Sequence, residues 1–259
     1  MSNEENEKVE GLLASSHLYQ FFSNCLFEPD KGLLELLNDK EYMDEVKSCL
    51  GEIGNDKLSE SFGDLQKQLQ SATLDDLLGE YLSTFGSETI AVDCPTYEMF
   101  FGRSHIFQQT HELADISGFY RAFGLEVSKD DTANRWDHIA VELEFLHFLT
   151  YKQAYAMENH SHDQMKVCLK AKKKFLNAHI GKWIQAFAKS VNKKSPSGVY
   201  RQVANLANDF VHVDMEQLEV RTEEIDELLG GEPDYLESLE GKSAMACNTC
   251  MDEEQEQYG

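Results

Sequence analysis

Three places in this chain combine residue types and spacings that could support chemistry. They are the adjacent pair Asp137-His138, the helical spacing Glu144-x-x-His147 and the thiol pair Cys247-x-x-Cys250. A carboxylate beside an imidazole could transfer a proton. Glu-x-x-His on a helix is a ligand pattern of di-iron bundles, and paired thiols hold zinc or undergo redox cycling. Each candidate also has a simpler structural interpretation, which depends on its surroundings.

The two metal patterns lack the further ligands that a metal centre needs. A di-iron bundle requires a second Glu-x-x-His motif and two more glutamates on separate helices, and no second motif stands in a predicted long helix. Zinc would need two ligands besides Cys247 and Cys250, and a thioredoxin-like role would need a βαβ setting. The thiol pair keeps two interpretations, a flexible tail with paired thiols or a metal-related role. We predict no catalytic residue, metal or cofactor.

Asp137 and His138 also have two interpretations. Neighbouring residues of a helix point about 100° apart, so the pair does not form one acid–base unit on a single helix face. Near the start of a helix, Asp137 would interact favourably with the positive end of the helix dipole while His138 packs or is solvated. The functional alternative is a role in recognition, which depends on the motifs around the pair.

Composition predicts one all-helical domain. The chain has 259 residues, of which 41% are apolar, and this is enough to fill one sizeable core. Only 4 residues are proline, and Leu, Ala, Glu, Lys and Gln favour helix. We predict an all-α, single-domain bundle of about ten helices over residues 1–213. Residues 214–259 hold 15 acidic and 2 basic residues, which predicts a disordered acidic tail after a short helix.

Apolar periodicity, caps and prolines predict the helix bounds. The predicted helices cover residues 9–27, 31–38, 40–50, 57–70, 74–85, 104–123, 130–157, 164–191 and 196–213. Pro29 ends the first helix, and Ser195 caps the last helix with Pro196 at its first position. Residues 86–102 form an apolar, aromatic loop, which must fold onto the core or meet a partner.

The charge distribution indicates which class of partner to expect. A formal net charge of −24 disfavours nucleic acid and suits a basic partner. Residues 164–208 nevertheless hold nine lysines, Arg201 and no acid, which predicts a helix face paired with acidic neighbours or, as the alternative, a docking face. No apolar run of about 18 residues exists, so we expect no membrane span. The acidic, polar N-terminus is unlike a secretory signal, which predicts a cytoplasmic location.

Three sequence blocks stand in order along the chain. They are Tyr81-Leu82-Ser83-Thr84-Phe85-Gly86 with Cys94-Pro95-Thr96-Tyr97-Glu98, then Trp136-Asp137-His138-Ile139-Ala140-Val141-Glu142-Leu143-Glu144-Phe145, then His179-Ile180-Gly181-Lys182-Trp183 with Phe187. The first resembles an aromatic-x-x-x-Phe helix end with a Pro-aromatic loop. The second resembles Glu-Pro-x-Asp-His followed by an apolar helix, and the third His-Leu-x-x-Trp-x-x-x-Phe. Together they resemble the TorD/DmsD/NarJ family of molybdoenzyme maturation chaperones, although Asn134-Arg135 stands where the family often has Glu-Pro.

The resemblance implies a helical chaperone that is not an enzyme. Such a protein binds the N-terminal twin-arginine signal, or the corresponding segment, of a molybdopterin-dependent oxidoreductase catalytic subunit and holds that subunit until its cofactor is inserted. By resemblance, the peptide groove is lined by Tyr81, Phe85, Pro95, Tyr97, Trp136, Asp137 and His138. The tyrosine and phenylalanine rings would bury apolar signal residues, with ordinary core packing as the alternative, and Asp137 would pair with an arginine.

Two other functions compete with the chaperone. A helical nucleotide-binding hydrolase is one, although no G-x-x-x-x-G-K-[ST] phosphate loop is present. An accessory subunit of a redox complex is the other, with Cys247 and Cys250 holding a metal. A bundle of this kind is expected as a monomer or as a dimer that exchanges segments between its subunits.

Overall fold

The computed structural model describes residues 3–86, 93–101, 106–125, 135–159, 161–222 and 225. These residues form ten α-helices and one short 3-10 turn, with no β-strand among them, so the all-α prediction is confirmed. None of these helices is both long and apolar enough to cross a membrane. Cys247, Cys250 and the predicted tail beyond residue 225 lie outside the described residues.

The helices follow one another with short connections over most of the chain. They are α1 (Asn3–Leu26), α2 (Lys31–Asn38), α3 (Lys40–Ile53), α4 (Asp56–Ser71), α5 (Leu74–Phe85), α6 (Ile106–Ala122), α7 (Ile139–Glu158), α8 (His162–Ala178), α9 (Ile180–Lys194) and α10 (Val199–Gln217). Side chains at the N-caps explain several starts: Asp30, Asp39 and Asn55 accept from backbone N–H groups of the first turn. Thr73 and Asp76 form a reciprocal capping box at the start of α5.

Helices α1 and α7 form the centre of the bundle. They run antiparallel, because Ser16 contacts the His147 carbonyl (3.1 Å) while Ser23, further along α1, contacts the Ala140 carbonyl (2.8 Å). Small serine side chains facing α7 allow the two backbones to approach closely. Around this pair the core is aromatic, and Tyr19 packs edge-on against Phe210 of α10 at 4.8 Å between ring centroids.

The predicted helix over 130–157 begins later than expected. Helix α7 starts at Ile139, so Trp136, Asp137 and His138 precede it instead of lying within it. The reason is pairing with a segment that is distant in sequence: the Ile139 N–H donates to the Thr96 carbonyl at 2.8 Å, and His138 is the N-cap. The expectation that Asp137 and His138 point from adjacent helical positions was therefore wrong.

The predicted helix over 164–191 is in fact two helices, α8 and α9. The chain leaves helical geometry at His179, whose φ and ψ are −122° and −112°. Gly181 makes this break possible, because a Cβ atom there would collide with the Leu176 carbonyl and with the Met215 side chain. The spacing of apolar residues does not reveal the break, because it continues unchanged from the buried face of α8 to the buried face of α9.

The start of α10 also differs from the prediction. Ser195 and Pro196 lie between helices, and the N-cap is Gly198, which has a φ of +123°. The first N–H groups of the helix, at Val199 and Tyr200, donate to the carboxylate of Glu80 on α5 at 3.1 and 3.0 Å. The unpaired N–H groups and the positive dipole at the start of this helix are thus compensated by a carboxylate that is distant in sequence. The Ser-Pro pair, as a local signal, could not reveal that contact.

Helix α10 extends past Val213 because Asp214 belongs to the core. Its carboxylate is 2.9 Å from the Lys172 ammonium of α8 and accepts from the Tyr19 hydroxyl at 2.6 Å. Both members of the ion pair are buried. Within the lysine-rich stretch, Lys172 and Lys194 thus pair with acids, the latter with Asp93. These two pairs agree with the first interpretation of the basic stretch.

Replacing Asp214 with asparagine should strongly destabilise the fold. The substitution leaves the buried Lys172 ammonium without a counter-charge, and such a loss costs about 3–5 kcal/mol. Urea unfolding followed by circular dichroism measures the free energy of unfolding. Asp209→Asn on the same helix is the control, since Asp209 pairs with the exposed Lys57 and its loss should cost under about 1 kcal/mol. Equal effects of the two substitutions would contradict the assignment.

Candidate functional site

Two loop segments from different parts of the chain pair in front of α7. The Glu98 N–H donates to the Asp137 carbonyl, and the Ile139 N–H donates to the Thr96 carbonyl, both at 2.8 Å. Tyr97 and His138 lie opposite each other as an isolated antiparallel bridge. We call the paired segments 96–98 and 137–139 the junction. The structure thereby brings Tyr97, Asp137 and His138 together, as the peptide-groove hypothesis requires.

Asp137 is buried in the junction and holds an arginine of the same chain. Its two carboxylate oxygens accept from Nε and Nη2 of Arg135 at 3.0 and 2.8 Å. The same guanidinium lies over the Tyr97 ring, 4.5 Å from its centroid. A two-point ion pair plus a cation–π contact orients this arginine firmly. The carboxylate that the resemblance assigns to a client's arginine is therefore occupied by Arg135.

His138 is a neutral structural residue in this arrangement. Its Nδ1 accepts from the Ala140 N–H at 3.2 Å and so caps α7. One face of the ring stacks on Phe27 at 5.8 Å, and Tyr97 meets the ring edge-on at 5.1 Å. Burial, and next the positive charge of Arg135, lower the pKa of His138 to about 3. The imidazole therefore carries no charge near neutral pH.

A second layer of buried acids lies behind the junction. Glu142 in the first turn of α7 is fully buried and accepts from the Trp183 indole N–H at 3.4 Å. Burial raises the pKa of Glu142 well above its usual range, and the charges of Glu98 and Asp137 raise it further. Glu98 contacts His179 Nδ1 at 3.0 Å, which links the junction to the break between α8 and α9.

The remaining aromatic residues of the hypothesis pack mainly into the core. Tyr81 and Phe85 lie 5.0 Å apart and both meet Tyr200 edge-on. Both rings are almost completely buried, and so is Pro95. Trp136 keeps part of its surface exposed while its ring contacts Tyr120 at 4.5 Å. Of the predicted groove residues, Tyr97 and Trp136 are half-buried, whereas the others are buried.

Sequence reasoning missed three residues that build this site. Phe27 was assigned only to the end of the first helix, and Arg135 only to a departure from the family pattern, yet the two lie on opposite sides of the Tyr97–His138 contact. Glu142 carried a usable signal, because an acid stands among apolar residues on the buried face of a helix. The contacts of Phe27 cross more than 100 positions of sequence, so no local pattern could predict them.

The candidate metal pattern on α7 does not assemble into a centre. His147 contacts Ser16 of α1 through its Nδ1 at 2.9 Å, while Glu144 points to an exposed face. In the part of the chain that the structure covers, no group of three or more His, Cys, Asp or Glu side chains is placed to hold a metal ion.

The His138 cap gives the fold a measurable pH dependence. An unfolded imidazole titrates near about 6.5, whereas the folded one titrates at about 3. The unfolded chain therefore binds this proton first, and stability is complete above about pH 6.5 and is lost as the pH falls toward 3. His138→Asn keeps a capping acceptor but does not titrate. Between pH 7 and pH 5 the wild type should lose about 2 kcal/mol more unfolding free energy than the variant; equal losses would contradict this assignment.

Comparison with known proteins places the chain in a family. A model described as nitrate reductase delta subunit matches residues 55–189, just over half of the chain. The perchlorate reductase assembly chaperone protein of Dechloromonas aromatica (strain RCB) is 28% identical over 217 residues, covering 82% of this chain and 93% of that protein. A solved structure described as a redox enzyme maturation protein from Archaeoglobus fulgidus gives a TM-score of 0.46 at 20% identity, covering 76% of this chain and 93% of that one.

The family match and the curated relative confirm the resemblance that the three sequence blocks indicated. The matched residues include all three blocks completely. The junction, its Arg135–Asp137 ion pair and the His138 cap all lie within the matched range. The chain belongs to the nitrate reductase delta subunit family.

Proposed function

We propose that this chain is a cytoplasmic assembly chaperone of a molybdopterin-dependent oxidoreductase. It binds the N-terminal signal segment or the apo form of the catalytic subunit and holds it for cofactor insertion, and it does not itself catalyse a reaction. The observation that carries the proposal is the alignment with a perchlorate reductase assembly chaperone along 82% of this chain and 93% of that protein. That alignment covers most of both sequences.

The charge and the aromatic surface suit such a client. Signal segments combine a basic part with an apolar part. A chain with a formal net charge of −24 attracts the basic part and raises the rate of encounter. Half-buried aromatic rings offer apolar contact area at low cost in side-chain entropy, which is why they dominate recognition surfaces.

The junction is the place where we propose that the client segment docks. Tyr97 presents part of its ring at the surface, while Arg135 and His138 hold that ring from two sides. Trp136 presents a second partly exposed ring one residue before Asp137. Tyr81, Phe85 and Pro95 are buried and are not part of the exposed surface. A rigid aromatic platform loses little freedom on binding, so more of the contact energy appears as affinity.

The function itself is tested in cells that lack this chain. The molybdopterin oxidoreductase client should then accumulate without molybdenum, as measured by elemental analysis of the purified enzyme. Reintroducing the chain should restore the metal content. A fully loaded client in its absence, together with no capture of the client precursor on the immobilised chain, would sink the proposal.

Removing the Tyr97 ring should weaken client binding with little effect on the fold. Tyr97→Ser should raise the dissociation constant for a client N-terminal peptide about tenfold, the loss typical of a central aromatic contact. Calorimetry measures the affinity, and thermal unfolding checks the fold.

Tyr155→Ser provides the matched control. Tyr155 lies on α7 with about half of its surface exposed (54%), far along the helix from the junction. Its removal should leave affinity unchanged. If the two variants bind equally well, the junction is not the docking surface.

A further inference from the structure

A pocket of about 430 Å³ opens beside the junction, where α1 ends and α2 begins. Its lining includes Asn24, Phe27, Glu28, Asp30, Leu33 and Leu36. The size falls within the range that protein ligand pockets occupy, roughly 300–1,000 Å³. Its walls combine apolar side chains with two carboxylates, and neither of these acids belongs to the site that the sequence predicted.

Local sequence chemistry builds this pocket. Pro29 lies in the turn after α1, and Asp30 starts α2 by accepting the Leu33 N–H on Oδ1 at 2.8 Å. Gly32 leaves room for that carboxylate, since a Cβ atom there would approach Asp30 Oδ1 to 3.3 Å. The cap uses Oδ1, while Asp30 as a residue remains exposed. The second oxygen is therefore available to a ligand.

The pocket and the junction share a wall. Phe27 lines the pocket and stacks on His138 at an interplanar angle of 6°. Burial raises the pKa of Tyr81 most, and the nearby charge of Glu28 raises it further, as does Tyr97. The Tyr81 hydroxyl is therefore near both the pocket residue Glu28 and the junction residue Tyr97. A peptide that lies across the Tyr97 ring can therefore place a neighbouring side chain in the pocket.

The two acidic sites differ in their availability. Asp137 has 1% of its surface exposed and is held by Arg135 at two points. Glu28 is exposed and makes no hydrogen bond or ion pair among the residues that the structure describes. Lys31, in the first turn of α2, does not line the pocket. The carboxylates at the pocket are thus open to a cation from outside, whereas the junction carboxylate is not.

We propose that this pocket binds an arginine side chain of the client's N-terminal segment. The aliphatic part packs on Leu33 and Leu36, the planar cation lies against the Phe27 ring, and Glu28 and Asp30 accept its N–H groups. Arginine fits better than lysine, because its weakly hydrated planar group stacks on aromatic rings and offers several donors at once. This inference rests on the proposed function and assigns its cation-binding step to residues other than Asp137.

The test uses the full chain and two labelled peptides. The first carries two adjacent arginines followed by a run of leucines, and the second has citrulline in place of both arginines, which removes the charge at nearly the same shape. Fluorescence anisotropy gives the dissociation constants for the wild type and for Glu28→Gln/Asp30→Asn. Asparagine preserves the α2 cap. Loss of the two charges should weaken binding of the arginine peptide about fivefold and leave the citrulline peptide unaffected.

Glu35→Gln/Glu41→Gln is the matched control, because it removes two exposed acids on α2 and α3 that do not line the pocket. It should bind both peptides as the wild type does. Equal affinity of the pocket variant and the control for the arginine peptide would overturn the pocket assignment, as would an equal loss for both peptides. If the wild type binds neither peptide, the pocket assignment fails, whereas the proposed function is decided separately by the molybdenum content of the client in cells that lack this chain.

Discussion

The arrangement of this site depends on one buried ion pair. Asp137 lies in a loop with 1% of its surface exposed, where an unpaired charge would be strongly unfavourable. Arg135 compensates that charge from two residues away and in doing so takes a fixed position over Tyr97. Because Asp137 also supplies a backbone carbonyl to Glu98, the same residue aligns the two loop segments in front of α7. Asp137 therefore positions the aromatic surface at Tyr97 and Trp136.

Behind that pair, burial disfavours the charged forms of two further groups. Burial and neighbouring carboxylates raise the pKa of Glu142, while burial and the charge of Arg135 lower the pKa of His138. The Arg135–Asp137 pair therefore lies beside groups whose neutral forms are favoured. The exposed acids stand outside the junction, on the rim of the adjoining pocket, where a client cation can reach them from solvent. The buried acids therefore hold the junction together, while the exposed acids at the pocket remain able to bind a client cation.

Most of the fold could be predicted from sequence because it follows from local signals. Periodicity, Pro29 and the Thr73 cap lie within a few residues of the bounds they determine. The predicted bounds failed mainly where distant groups act: pairing with Thr96 delays the start of α7, and Glu80 caps α10 across 119 positions. The break at His179 depends on a closer residue, Gly181, where a side chain would collide with Met215. For the site, the blocks identified Tyr97, Asp137 and His138. They did not reveal Phe27 and Glu28, because these two residues come close to the junction only when α1 packs on α7.

A photoactivatable phenylalanine analogue placed at Tyr97, in cells that express the natural client, tests most directly whether the junction meets the client's N-terminal segment. On illumination, this position should form a covalent adduct with a molybdopterin oxidoreductase within its N-terminal segment, and the same analogue at Tyr155 should not. An adduct formed from Tyr155 and not from Tyr97, or none with any molybdoenzyme, would contradict the account.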